Sequence, residues 1–149
     1  MSQDYYLAQL NIAKTLAPLE SPKLKEFVDN LDRINGIAES SPGFVWRLKD
    51  DTGNATEISA FDDPNIIVNM SVWQDIQSLK QFMFKTDHAS FLMRREQWFE
   101  KPTQPTYVLW WVPKSHTPTL DEAKQKLAHL REHGDTEHAF SMRKVYAAP

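Results

Sequence analysis

The residues that decide the fold are Asn69–Glu100, NMSVWQDIQSLKQFMFKTDHASFLMRREQWFE. Taken back to Ile66, the stretch opens on a dense run of Ile and Val interrupted only by Asn69 and Ser71, the strongest strand signal in the chain. It passes into Ile76, Leu79, Phe82 and Met83 at helical spacing, then into a second helix from His88 to about Phe99. Thr86 or Asp87 can cap that helix, and Phe91, Leu92, Arg95 and Trp98 share one broad face of it. A strand feeding a helix pair narrows the fold to sheets with helices packed on them.

Upstream, Tyr5–Ala13 reads as a strand whose two faces both look buried. Ser21 offers an N-cap with Pro22 at the first helical position, and Leu24, Phe27, Val28, Leu31, Ile34 and Ile37 recur at helical spacing up to Ser41-Pro42-Gly43. Phe44–Asp50 is a second strand, which the turn Asp51–Asn54 folds back onto a shorter strand at Thr56–Phe61. Downstream, Thr106–Val112 is another strand, apolar on both faces. A last helix is signalled by Thr119 three residues before Glu122, a capping-box spacing, and by Gly134 after its closing turn.

This order fits an α+β fold, a ferredoxin-like antiparallel sheet with helices on one face, better than a doubly wound α/β fold. Residues 1–134 form that domain, and 135–149 a loosely attached tail in which Ala139–Tyr146 is a candidate edge strand. Strands apolar on both faces, with helices over only one, predict a second copy of the sheet against the other. The expected partner is therefore another copy of the chain in a twofold homodimer.

Composition limits the function classes. The 149 residues, 41% hydrophobic and 25% charged, suit one globular domain with a single core. The 17 basic and 20 acidic residues are not gathered into blocks, so nucleic acid is not an expected partner. With no cysteine, disulfides, thiolate metal sites and a cysteine nucleophile are excluded together. The opening MSQDYYLAQLNIA has no basic segment before a long apolar run, and no window approaches the ~20 apolar residues of a membrane span, so a cytoplasmic protein without membrane contact is expected.

A strand closing on Ser71-Val72-Trp73, a helix carrying Leu79, and His88 together resemble the dimeric α/β-barrel superfamily. That superfamily includes antibiotic-biosynthesis monooxygenases, haem-degrading monooxygenases and muconolactone-isomerase-like proteins. Through Leu7-Ala8-Gln9-Leu10-Asn11, Pro42-Gly43-Phe44-Val45-Trp46-Arg47-Leu48 and Leu109-Trp110-Trp111-Val112-Pro113, nearly the whole chain is similar to a bacterial family of unknown function within it. The resemblance implies a dimeric α/β barrel with a pocket between each sheet and its helices. In the haem-degrading branch the histidine matched by His88 ligates iron, although the extra hairpin, long last helix and tail depart from that branch. Function has to come from the site.

Alternation places Gln9 and Asn11 on one face of the first strand, and Asn69 and Ser71 on one face of its neighbour. Buried without partners, such groups are unfavourable by about 1–3 kcal/mol each, so they should meet each other, water or a ligand. A wet dimer interface and a ligand pocket both satisfy that requirement. The guanidinium fork of Arg47 suits a carboxylate or a polarised carbonyl, with salt bridging as its alternative. His88 lies at a helix start, where the dipole favours a neutral imidazole able to act as base, acceptor or metal ligand; a capping or packing role is the alternative.

Most of the five tryptophans suit the core, with Trp73 and Trp110 assigned to the pocket wall. Arg94 and Arg95 are expected to reach water. His129 and His133, with Glu132 and His138 nearby, are read as offsetting a helix dipole, and no metal site is expected. The resulting expectation is a protein binding an apolar or aromatic metabolite through Gln9, Asn11, Arg47, Ser71, Trp73 and Trp110. His88 would move a proton while Asn69 or Gln9 hydrogen-bonds a developing oxyanion, as in a cofactor-independent monooxygenase or isomerase. The alternatives are a non-catalytic binding or sensing module, and haem binding through His88.

Overall fold

The computed structural model describes residues 4–49, 63 and 65–149. Four strands, β1 (Tyr5–Lys14), β2 (Phe44–Arg47), β3 (Ile66–Trp73) and β4 (Tyr107–Pro113), form one sheet in the order β2-β3-β1-β4. All its pairings are antiparallel. The hairpin expected at Asp51–Asn54 and Thr56–Phe61 lies outside the described residues. β1 lies between β3 and β4, with its backbone paired along both edges.

The helices are α1 (Lys25–Asp29), α2 (Leu31–Ser40), α3 (Ile76–Lys85), α4 (His88–Met93) and α5 (Leu120–His133). The single helix expected after Ser21 is broken: a 3-10 turn at Pro22–Leu24 and a kink at Asn30 separate it into α1 and α2. Asp75 caps α3 by accepting from Ser78 N–H at 2.8 Å. The second member of the pair ends at Met93 rather than near Phe99, since the chain is drawn back to the sheet. There Leu16 N–H donates to Trp98 O at 2.8 Å, and Thr15 bridges Phe99. Gly43 opens β2 at φ 84°, and a Cβ on it would lie 2.0 Å from Ser78 Oγ, so glycine is required at that turn.

Alternation divides the interior into two layers. Leu7, Trp73 and Leu109 face Ala38 of α2 and Leu79 and Phe82 of α3. On the opposite face, Ala8, Leu10, Val68, Met70, Val108, Trp110 and Val112 pack with Ala123, Leu127 and Leu130 of α5. The α+β antiparallel sheet is as read from the sequence, but the helices are not confined to one side of it. The face for which a second copy was invoked is covered, over β1 and β4, by the chain's own last helix.

The tail from Asp135 is packed rather than loose. Ala139 and Phe140 are fully buried, and Trp111 Nε1 donates to Tyr146 O at 2.8 Å. Instead of an edge strand it forms one bridge to β4, in which Leu109 and Phe140 exchange N–H···O bonds of 2.7 and 2.9 Å. Among the described residues no helix is long and apolar enough to cross a membrane.

If α5 is part of the core, Leu127→Ala should lower the unfolding free energy by about 2–5 kcal/mol, the usual range for truncating a buried leucine. Urea denaturation measures this. A change within about 0.5 kcal/mol, typical of exposed positions, would contradict the packing described.

Candidate functional site

The register of the sheet places the candidate polar residues in rows across the strands. One row reads Tyr107, Asn11, Asn69; the next reads Leu109, Gln9, Ser71, Arg47; the third reads Trp111, Leu7, Trp73, Phe44. Directly opposed residues in antiparallel strands project from the same face, so all of these share the side covered by α2 and α3. Burial grades along the strands. Leu7 and Trp73 are fully buried, Gln9 and Ser71 nearly so, and Asn11 and Asn69 are exposed.

In the middle row the polar groups satisfy one another. Gln9 Nε2 donates to Asn69 Oδ1 and to Ser71 Oγ, each at 2.7 Å, and Trp73 Nε1 donates to the same Ser71 hydroxyl at 2.8 Å. Ser71 Oγ thus accepts from two nearly buried donors and anchors the network. Asn69, which is exposed, has its oxygen engaged, and neither its amide nitrogen nor the side chain of Asn11 beside it makes a hydrogen bond among the described residues.

The helical side carries His88. Its ring packs on Phe82 at 4.7 Å between centroids, and Phe82 stacks on Trp73 at 5.2 Å and 23°. His88 Nδ1 lies 3.1 Å from Met83 O. A carbonyl only accepts, so Nδ1 carries the hydrogen and Nε2 is left with its lone pair. Burial holds the imidazole below its ordinary value, partly offset by the bond to Met83 O. The cause of neutrality is thus burial within the packed helices rather than a helix dipole, since α4 is a short helix whose first amide is bonded to Thr86 Oγ1. Met83 connects the two sides, because its sulfur accepts from Tyr107 OH at 3.3 Å.

The structure thus brings together Gln9, Asn11, Asn69, Ser71 and Trp73, with His88 joined to them through Phe82. Arg47 reaches the same face opposite Ser71, but its Nε lies 3.4 Å from Glu39 Oε2, the salt-bridging alternative. Trp110 is not in this group. It projects into the α5 layer, where its Nε1 donates to Glu122 Oε2 at 2.9 Å. The parity of β4 assigns Tyr107 and Trp111 to the site face instead, and both were missed because register is not readable from one strand.

Other candidates have structural partners. Arg94 forms a two-point ion pair with Glu26 and lies 4.8 Å over the Trp98 ring, and Arg33 pairs with Asp87 at 2.6 Å, so these arginines pin the helix pairs together. His129 and His133 lie 4.5 Å apart, with His129 Nε2 bonded to Thr136 Oγ1 at 3.1 Å. Among the described residues no group of three or more histidine or acidic side chains is arranged to hold a metal. At the end of this sheet face Asn11 and Asn69 are exposed. Two concavities of about 440 and 330 Å3, around Leu127 and Arg131 and around Ser21 and Val28, lie away from it.

Residues 6–149 match the model of a family described as a domain of unknown function, DUF3291. No curated protein matches the sequence. Among solved structures, the chain is similar to a protein of unknown function from Nitrosomonas europaea, at 12% identity and a TM-score of 0.48, over 78% of this chain and 96% of that one. It is similar to SnoaB, a cofactor-independent oxygenase from Streptomyces nogalater, at 17% identity and a TM-score of 0.45, over 76% and 96% respectively. A monooxygenase from Streptomyces coelicolor solved with nanaomycin D gives 14% identity and a TM-score of 0.43, over 80% and 95%.

Two outcomes follow from the geometry. Ser71→Ala leaves Gln9 Nε2 and Trp73 Nε1 short of an acceptor and should destabilise the fold by about 1–3 kcal/mol, read from the urea midpoint. For His88 the folded-state value lies below 6.5. As pH falls through 6.5 the unfolded chain therefore takes up a proton that the folded chain resists, and stability falls until the folded value is passed. His88→Gln should flatten that acid-side decline, and an unaltered pH profile would contradict the burial of the ring.

Proposed function

We infer for this chain, which belongs to the DUF3291 family, that it binds a small, largely apolar or aromatic molecule bearing an oxygen substituent on the Asn11–Asn69 row. The observation that carries this reading is the Gln9–Ser71–Asn69 network, which holds the exposed Asn69 by its oxygen and leaves its amide N–H groups without a partner among the described residues. An ordered donor at the exposed end of this sheet face suits an acceptor oxygen, while Trp73, Phe82 and Tyr107 supply apolar surroundings. All these groups belong to one chain, so the reading does not depend on a second copy.

His88 is assigned the part of proton acceptor. Its Nε2 lone pair is available near neutral pH, since burial disfavours the protonated ring. Removing a proton next to a carbonyl or from a phenol places negative charge on oxygen, and outward amide donors stabilise that charge. Such a step opens both isomerisation and cofactor-independent oxygenation. Haem ligation draws no support from this arrangement, in which the ring packs on Phe82 and neither described concavity borders it.

Native mass spectrometry of protein purified from its own cells should reveal a retained small molecule that Asn69→Ala loses while remaining folded. In D2O that molecule should gain deuterium with the parent protein and not with His88→Ala. Retention without exchange would leave a binding module and remove the proton-transfer role. A Soret band on titration with haemin, abolished by His88→Ala, would replace the reading altogether.

A further inference from the structure

Tyr107 occupies the β4 end of the row whose other end is Asn69, with Asn11 between them. Two strand spacings separate the ends by about 10 Å, the width of a small fused-ring molecule. The phenol is desolvated, and this pushes its ionisation far above the ordinary phenol range, so the hydroxyl is a donor at any physiological pH. Among the described residues its acceptor is Met83 Sδ at 3.3 Å.

A thioether is a weak acceptor, and a phenol O–H in dry surroundings gains considerably by meeting an oxygen instead. Met83 is also suited to yield, since its unbranched side chain has several rotatable bonds and refills irregular space readily. The donor is thus poised against a partner that is easily displaced, on the same row as the exposed side chains of Asn69 and Asn11.

We propose that the Tyr107 hydroxyl is a second recognition donor of the site, exchanging Met83 Sδ for an acceptor oxygen of the ligand, and that the site therefore takes planar carbonyl-bearing molecules in preference to the corresponding hydrocarbons. This inference rests on the ligand site read above on the Asn11–Asn69 row. It assigns Tyr107 a part in specificity and none in proton transfer.

Equilibrium dialysis with 1,4-naphthoquinone and with naphthalene tests the proposal, and the absence of cysteine removes the usual thiol adducts of the quinone. The parent protein should hold the quinone more than about tenfold more tightly than naphthalene, since both Asn69 and Tyr107 donate to it. Tyr107→Phe should lower that preference about five- to tenfold, the scale of one net hydrogen bond, while naphthalene affinity stays as in the parent. Met83→Leu, which withdraws the competing sulfur and keeps the volume, should leave the preference intact or enlarge it. If Tyr107→Phe keeps the parent's preference, or Met83→Leu loses it, the proposal fails. If Asn69→Ala weakens quinone binding and Tyr107→Phe does not, the site reading stands without Tyr107; if neither probe binds the parent protein, both fall together.

Discussion

β1 has a neighbour on each edge, so its ladder groups are paired along both, and its side chains alternate into two apolar layers on opposite faces of the sheet. A central strand that is dry on both faces needs cover twice. α2 and α3 supply one cover and α5 the other, which is why the chain continues well beyond β4 and turns back across the sheet. The tail completes the arrangement by pairing Phe140 with Leu109 and packing Met142, Val145 and Tyr146 beside the first layer. Burying polar backbone in such an interior is tolerable because the strands satisfy one another, whereas a side-chain amide there needs a specific partner.

That second requirement shapes the candidate site. Gln9 lies where the helical cover is still closed, and two acceptors within 2.7 Å make its burial affordable in free-energy terms. One residue further along the same face, Asn11 and Asn69 emerge from under the cover. The polar character of the face therefore increases in the direction in which water becomes available, and the network transmits a fixed orientation from its dry end to its wet end. Ser71 is the pivot, because a hydroxyl accepts from Gln9 and Trp73 at once and so ties the buried indole to the amide network. His88 is brought to this region by the turn between α3 and α4, with its tautomer set by the Met83 carbonyl rather than by any residue of the sheet.

Much of this was legible in the chain. The Ile66–Trp73 run, the Asp87-His88 helix start and the Thr119 and Gly134 limits of the last helix are local signals, and the strand neighbours Gln9 and Asn69 follow from alternation plus the element order. What was not legible depended on parity between distant segments. Trp110 and Trp111 are adjacent and chemically identical, and only the β1–β4 register sends the first to α5 and the second to the site face. The coverage of the second face by α5 was hidden for a related reason: its apolar positions Ala123, Leu127 and Leu130 make a narrow stripe on a helix otherwise rich in charge, which reads equally well as an exposed helix. The kink at Asn30 leaves no residue that forbids helix, so the spacing of Leu24 to Ile37 could not reveal it.

The period of two in β4 has one more consequence. Glu122 sits at the position from which a capping box would send its carboxylate back to the Thr119 amide, and the Thr119 hydroxyl does accept from Glu122 N–H at 3.1 Å. The carboxylate goes elsewhere, to Trp110 Nε1 at 2.9 Å and His116 Nε2 at 2.6 Å. Burial raises this carboxyl, but the bonds from His116 and Trp110 outweigh it and hold it below the ordinary carboxylate range, so it stays charged as an acceptor. The first turn of α5 is thereby tied to one side of β4 through Trp110. Tyr107 and Trp111, of opposite parity, are fixed on the other side by the same strand pairing. Docking of the last helix and presentation of a phenol on the Asn11–Asn69 row are two outcomes of a single strand register, and neither can shift by a residue without exchanging the faces of both.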